Sequence, residues 1–327
     1  MKIAVFGAGA IGGYLGARLA ASGAQVSLIA RGSQLEAIRE RGLTLLEDGH
    51  SLVVHPPVSS DPAEFGVQDA VFLTVKSHSL PGVLPGLNHL LGQQTLVIPA
   101  INGIPWWYFQ RYSGPFAGRV LESVDPGGVL FRSIDPERLI GCVVYPAAEV
   151  VAPGVVHHAS GDRLELGELD GSRSQRLHEL AAVLARAGIK PRIRDRIRDD
   201  IWLKLWGNAA FNPLSALTGA GVGEIAGNSG TRPIVVAIMK EVEEVAVELG
   251  VRFPVDLETR IAWTEALGEH KTSMLQDLEA GRKLEIAALG TVVQELAALM
   301  GLATPTLDLI LALVELRAAH PWLTPSS

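Results

Sequence analysis

The sequence predicts an α/β half followed by an all-α half, and three observations carry that prediction. A glycine-patterned turn joins a short β-prone run to a helical run at the N-terminus. Apolar β-prone runs then alternate with helical stretches to about residue 193. From about residue 199 onward long amphipathic segments follow one another with no strand signal between them. A chain of 327 residues, at roughly 100–200 residues per domain, makes two domains the expectation. The charge-dense stretch 192–200 marks the change of character, giving expected domains of residues 1–195 and 196–327.

The first element is Lys2-Ile3-Ala4-Val5-Phe6, the pattern of a buried parallel strand. It runs into Gly7-Ala8-Gly9-Ala10-Ile11-Gly12, a G-x-G-x-x-G turn, then a helical run around residues 14–20 and a second strand at 25–30. Strand, turn, helix and strand in that order are the context that gives the glycine pattern its meaning. Gly7 suits the tight turn, Gly9 lets a pyrophosphate approach the backbone, and Gly12 lets helix and strand pack closely. The helix N-terminus adds unpaired N–H groups, from Ala10 and Ile11 onward, and the positive end of a dipole. A Rossmann-type dinucleotide fold follows. The second strand ends in Ala30-Arg31-Gly32-Ser33, with no carboxylate to take a ribose 2′-hydroxyl. Arg31 instead offers a guanidinium to a 2′-phosphate, so the expected cofactor is NADP(H).

Further strands are expected at residues 70–75 and 95–99, leading into Lys76 and Asn102-Gly103. The C-terminal ends of such strands face the ligand crevice. Short β-like pieces at 139–145 and 154–158 read as extensions of the sheet, and a helix at 174–187 and a strand at 190–193 complete the half. Helices are then expected at about 199–220, 232–249, 271–300 and 306–319. In the first, Lys204, Asn208 and Asn212 form one polar stripe at i, i+4, i+8 on an otherwise apolar segment. Such a stripe needs partners in protein, water or ligand. A lysine desolvated there has its pKa driven toward neutrality, which suits proton donation to a carbonyl, although a structural hydrogen-bond network explains the stripe equally well. Ser273 and Asp277 share a helix face in the third segment, and Glu285 follows eight residues later, about 80° around a continuous helix.

Composition removes other classes. Apolar residues make up 48% and charged residues 19%, which gives no case for disorder. A net charge of −7 makes nucleic acid an unexpected partner. Cys142 is the single cysteine, so an internal disulfide is impossible and a reducing cytoplasm fits. Residues 77–110 carry no Asp, Glu, Lys or Arg, but Pro81, Pro85, Pro99 and Pro105 break any membrane-spanning helix there. The apolar N-terminus imitates a signal peptide, but its glycines are spaced for a dinucleotide. His157-His158 are adjacent instead of at ligand spacing, which argues against a metal enzyme, and G-x-S-x-G is absent.

The chain resembles the ketopantoate reductase (2-dehydropantoate 2-reductase) family over essentially its full length. The matching residues are 7–13, Arg31, Val75-Lys76, Asn102-Gly103, Lys204 with Asn208, Asn212 and Pro213, and residues 272–277 with Glu285. The resemblance implies an N-terminal Rossmann domain and a helical C-terminal domain like that of 6-phosphogluconate dehydrogenase. It implies hydride transfer from NADPH to a 2-oxo acid, with ketopantoate reduced to (R)-pantoate for pantothenate biosynthesis. By match, Lys204 is the general acid and Glu285 takes the distal hydroxyl. Asn102, Asn208, Asn212 and Ser273 bind substrate and Asp277 supports them. Gly7, Gly9, Ala10, Ile11, Gly12, Arg31, Lys76 and Asn102 hold the cofactor. Ile101, Trp106, Trp107 and Ala287 depart from the usual pattern, leaving a bulkier branched or aromatic 2-oxo acid, or a non-catalytic NADP(H) sensor, as alternatives. The apolar helical half is consistent with a homodimer.

Overall fold

The computed structural model describes residues 1–320. The chain divides into two compact units, one made of Met1–Val120 with Asp125–Ile197 and the other of Leu121–Val124 with Arg198–Ser327.

The first unit begins with β1 (Lys2–Phe6), α1 (Ala10–Ala21), β2 (Gln25–Ile29), α2 (Gly32–Arg41), β3 (Leu43–Glu47), β4 (His50–Val54) and β5 (Val58–Ser59). It continues through β6 (Gln68–Leu73), α3 (Leu84–Leu87), β7 (Leu91–Pro99), α4 (Val129–Ser133) and β8 (Ile140–Val144). The hairpin β9 (Ala147–Ala152) and β10 (Val155–Ser160), then β11 (Arg163–Glu168), α5 (Gln175–Arg186) and β12 (Lys190–Ile193), complete it. The central sheet is parallel, in the order β5-β2-β1-β6-β7. Its order reverses between β1 and β6, the switch point at which α/β sheets bind ligands beyond their strand ends.

The pieces around 139–145 and 154–158 do not extend that sheet as the sequence suggests. Residues 140–144 form β8 of a separate β12-β11-β8 sheet, tied to the central one by a single bridge from Val97 to Leu139. β10 joins a second sheet, β4-β3-β10-β9, which packs on α1. Gly13 makes that packing possible, because a Cβ there would lie 2.5 Å from the Val156 side chain. Arg18 and Glu47 pair across the same layer, and the His158 ring nitrogen Nδ1 lies 2.5 Å from Glu47 Oε1. The neighbouring Tyr14 ring lies 4.5 Å from that of His158, and burial pushes the Tyr14 phenol up from its ordinary range.

The second unit holds α6 (Ile197–Thr218, from its second residue), α7 (Val222–Gly227), α8 (Arg232–Glu248), α9 (Leu257–Glu265), α10 (Ser273–Glu279), α11 (Val292–Met300) and α12 (Pro305–Ala319). Trp202 and Trp206 on α6 are fully buried, and the Trp206 indole N–H donates to the Met239 carbonyl of α8 at 2.8 Å. Glu241 on α8 accepts from the Thr306 and Leu307 N–H groups, each at 2.9 Å, capping the first turn of α12. Glu295 on α11 likewise accepts from the N–H groups of Glu122 and Ser123, which binds the segment Leu121–Val124 into this unit.

The expected helix over residues 271–300 is two helices. Gly281 takes a φ of +64, a left-handed conformation that ends α10, and the Arg282 N–H turns back to the Asp277 carbonyl at 2.8 Å. Helix resumes only after Glu285, through a wide turn of the π type at Ala287–Thr291. Asp277 and Glu285 therefore do not share a helix, and the 80° relation between them does not exist.

Candidate active site

In the first unit the residues singled out for a dinucleotide gather along the C-terminal edge of the central sheet. Gly7 has a φ of +112, open to glycine and hostile to other residues. A Cβ on Gly12 would fall 2.5 Å from Thr74 Oγ1 and nearer still to the Gly7 carbonyl oxygen, so the helix can meet the strand end only through a glycine. A Cβ on Gly9 would meet nothing within 4 Å. Gly9 is exposed, it is the N-cap of α1, and no side chain caps that helix. A bare, uncapped helix N-terminus under an open glycine fits a pyrophosphate.

The carbonyls of this loop are all engaged by the protein. Gly7 O accepts from Thr74 Oγ1, Ala8 O from Gln34 Nε2, and Gly9 O from the Gly13 N–H, each at 2.7 Å. Arg31 follows β2 as the exposed N-cap of α2. Lys76, after β6, is the half-buried N-cap of a short 3₁₀ turn. Asn102, after β7, is half-buried beside Gly103 with its φ of +80. Trp106 and Trp107 are each 1% exposed. Trp107 packs over Gly141 of β8, where a Cβ would lie 3.0 Å from its Cη2. Both indoles are buried, so they present almost no surface to line a pocket.

In the second unit, α6 carries the polar stripe. Residues 201–218 contain one charged side chain, Lys204, which is half-buried with Asn208, while Asn212 is 4% exposed. Asp200 extends the stripe by one turn toward the N-terminus and is also 4% exposed. Its i−4 spacing from Lys204 is the sequence signal that finds it. Arg260, from α9, places its guanidinium against Gly207 of α6, where an added Cβ would collide with it, and Nη1 donates to Thr264 Oγ1 at 2.7 Å. Thr272 caps α10 by accepting from the Leu275 N–H at 3.1 Å, which puts Ser273 in the first turn. Asp277 is buried and paired with Arg282 Nε at 2.8 Å. Glu285 is 7% exposed and precedes the wide turn, its carbonyl accepting from the Leu289 N–H at 3.2 Å. Among the described residues no group of three or more His, Cys, Asp or Glu side chains could hold a metal ion, and no helix is long and apolar enough to cross a membrane.

Sequence reasoning missed Gln34, Thr74, Asp200 and Arg260. Gln34 and Thr74 leave no spacing signal, since what they do depends on strand ends far apart in sequence.

Comparisons with known proteins identify the family. The family model described as ketopantoate reductase PanE/ApbA matches residues 3–171, and the model for the C-terminal part of that family matches residues 196–318. A curated protein of Mesorhizobium japonicum named 2-dehydropantoate 2-reductase is 50% identical over 316 residues, covering 96% of this chain and 97% of its own. The crystal structure of a Ralstonia solanacearum MolK2 protein assigned as a ketopantoate reductase superposes with a TM-score of 0.93 at 40% identity, over 97% of this chain and 98% of that one. That of 2-dehydropantoate 2-reductase from Geobacter metallireducens GS-15 gives 0.85 at 30% identity, over 97% and 99%. The chain belongs to the ketopantoate reductase family.

Proposed function

We propose that this protein reduces 2-dehydropantoate to (R)-pantoate with NADPH, residues 1–195 taking the cofactor and residues 196–327 the substrate. The observation that carries the reading is on α6: its residues 201–218 hold one charged side chain, Lys204, in line with Asn208 and Asn212 on a largely apolar segment. The 50% identity to a 2-dehydropantoate 2-reductase selects the substrate.

Gly7, Gly9 and Gly12 open the turn, the first N–H groups of α1 at Ala10 and Ile11 bind the pyrophosphate, and Arg31 pairs with the 2′-phosphate. Lys76 and Asn102 contact the cofactor beyond the ends of β6 and β7. When bound, the dihydronicotinamide supplies the hydride that adds to C2 of the 2-oxo acid. The Lys204 ammonium donates to the ketone oxygen and passes its proton there as the C=O π bond breaks and negative charge develops, so the ketone becomes a secondary alcohol. Asn208, Asn212 and Ser273 hold the substrate and its carboxylate through amide and hydroxyl donors, and Asn102 orients it. Glu285 accepts from the distal hydroxyl, and Asp277, fixed by Arg282, supports the Ser273 turn. The protein acts in the cytoplasm, where Cys142, buried and outside any disulfide, stays reduced. It pairs as a homodimer through the exposed Leu309, Leu313 and Leu316 of α12.

The test is NADPH oxidation on adding ketopantoate, followed by other 2-oxo acids. Turnover of ketopantoate supports the whole reading. Turnover of only a bulkier 2-oxo acid rejects the substrate, and NADPH binding without any turnover rejects the reductase in favour of a sensor.

A further inference from the structure

The glycine loop is held by a side chain from outside the glycine motif. Gln34, half-buried in the first turn of α2, donates from Nε2 to the Ala8 carbonyl at 2.7 Å. Its Oε1 accepts from the Gly154 N–H at 2.8 Å. Gly154 is buried in the turn between β9 and β10, with a φ of +79, and its carbonyl accepts from the Thr44 N–H of β3 at 2.8 Å. One amide thus spans the loop at the end of β1 and the hairpin turn of the second sheet.

The consequence follows from peptide geometry. In a trans peptide the N–H points away from its own carbonyl. Fixing the Ala8 carbonyl fixes the plane of the Ala8–Gly9 peptide, and with it the Gly9 N–H and one of the two peptide planes flanking the exposed Gly9. Glycine has the broadest backbone freedom of any residue, and no side chain caps α1. Without an external hold this joint is the loosest point under the pyrophosphate. Thr74 and Gly13 hold the carbonyls on either side, and Gln34 supplies the middle one.

We propose that Gln34 is a positioning residue for the cofactor: it pre-orients the Gly7–Gly12 loop for the pyrophosphate by latching the Ala8–Gly9 peptide to the β9–β10 turn. It touches neither nicotinamide nor 2-oxo acid. The inference rests on the dinucleotide part of the proposed function and is independent of the substrate.

The test uses the full-length protein and three variants. Gln34→Met keeps length and volume but removes both hydrogen bonds. Gln34→Glu keeps the acceptor for the Gly154 N–H and turns a second oxygen against the Ala8 carbonyl. Gln34→Ala removes the side chain. Affinities are measured for NADPH and for adenosine 2′-monophosphate, which has the adenosine and 2′-phosphate but neither phosphate of the bridge. Loss of a preorganising hydrogen bond is expected to weaken NADPH about tenfold in Gln34→Met, and at least as much in Gln34→Glu. The affinity for adenosine 2′-monophosphate should stay within about twofold of the parent, as should the KM for the 2-oxo acid measured at saturating NADPH. A purely structural role would lower the melting temperature and leave the affinity of the folded protein unchanged. NADPH affinity unchanged in Gln34→Met overturns the proposal. So does an equal weakening of NADPH and adenosine 2′-monophosphate, because the effect would then run through the adenosine 2′-phosphate end. Absence of 2-oxo acid turnover in the parent, with NADPH still bound, overturns the reductase reading and leaves this one to the binding data.

Discussion

Gly9 and Gly12 stand three residues apart in one motif, and alanine at each should fail in opposite ways. At Gly9 an added methyl meets no atom within 4 Å, and the backbone is already extended at φ −78, ψ −155. Gly9→Ala should therefore fold as well as the parent, or gain about 0.4–1 kcal/mol from a less flexible unfolded chain. On the proposed reading its methyl stands where the pyrophosphate comes. Losing two charge-assisted bonds at about 1.5 kcal/mol each gives about 3 kcal/mol, or roughly a hundredfold in Kd for NADPH. At Gly12 the methyl lies 2.5 Å from Thr74 Oγ1 and 3.0 Å from the Gly7 carbonyl carbon, with the Gly7 oxygen nearer still. Either β1 or α1 must shift by about 1 Å, and the bond from Thr74 to Gly7 is lost with it. Overpacking at about 2 kcal/mol plus a hydrogen bond at about 1 kcal/mol gives about 3 kcal/mol. For a unit of this size that is a fall in Tm of about 6–12 °C. Differential scanning calorimetry and an NADPH fluorescence titration read both effects on the same samples. A Gly9→Ala protein that binds NADPH like the parent would refute the assignment of the loop to the pyrophosphate. A Gly12→Ala protein that melts with the parent would refute the packing argument.

Lys204→Ala should lower kcat for 2-oxo acid reduction by at least about a hundredfold while leaving the Kd for NADPH unchanged, as steady-state kinetics and titration will show. Burial holds the half-buried Glu243 carboxyl above its ordinary range, against a smaller opposing pull from Lys240. A carboxylate with a raised folded-state pKa costs stability as pH rises from the unfolded value through the folded one. Glu243→Gln should therefore raise Tm at pH 7, with the gain shrinking as pH falls through that window in calorimetry. Leu313→Glu, placed between Leu309 and Leu316 on the exposed face of α12, should convert a dimer to a monomer in sedimentation equilibrium and leave the melting of the monomer close to that of the parent.

The strand-turn-helix at the N-terminus was legible because its determinants are local: apolar residues fix β1, and the glycines fix the turn before tertiary packing has a say. The same holds for the hairpin β3–β4, whose Asp48-Gly49 turn has positive φ at both residues, 49° and 75°. That dipeptide is the strongest short-range hairpin signal, and it was readable in a stretch the sequence analysis left unassigned. Sheet membership was not legible. β8 and β10 look alike as short apolar runs, and which sheet each joins depends on Gly13 admitting Val156 and on the Val97–Leu139 bridge. Trp107 shows the same limit: its bulk is visible in the sequence, but its burial against Gly141 of β8 depends on a residue far along the chain.

The break after α10 changes what the second unit can do. In a continuous helix Asp277 and Glu285 would be fixed relative to each other by helical geometry, and a substrate hydroxyl would have to suit that geometry. Instead Gly281 ends the helix, Asp277 is committed to Arg282, and Glu285 enters the next helix through a wide turn that displaces one residue from the regular ladder. Wide turns of this type cost backbone hydrogen-bond regularity and concentrate at functional sites. A buried carboxylate placed by such a turn is set by the loop 280–285, so its position can be tuned by loop sequence without disturbing Ser273 or the cap at Thr272. On the proposed reading, Ser273 answers to the carboxylate and Glu285 to the distal group. The two parts of the substrate are then recognised by elements that can change separately. Gly281→Ala should accordingly raise the KM for a 2-oxo acid with a distal hydroxyl more than for its deoxy analogue, since the strain it introduces falls on the loop that carries Glu285. An equal rise for both would mean that the loop positions Ser273 and Glu285 together.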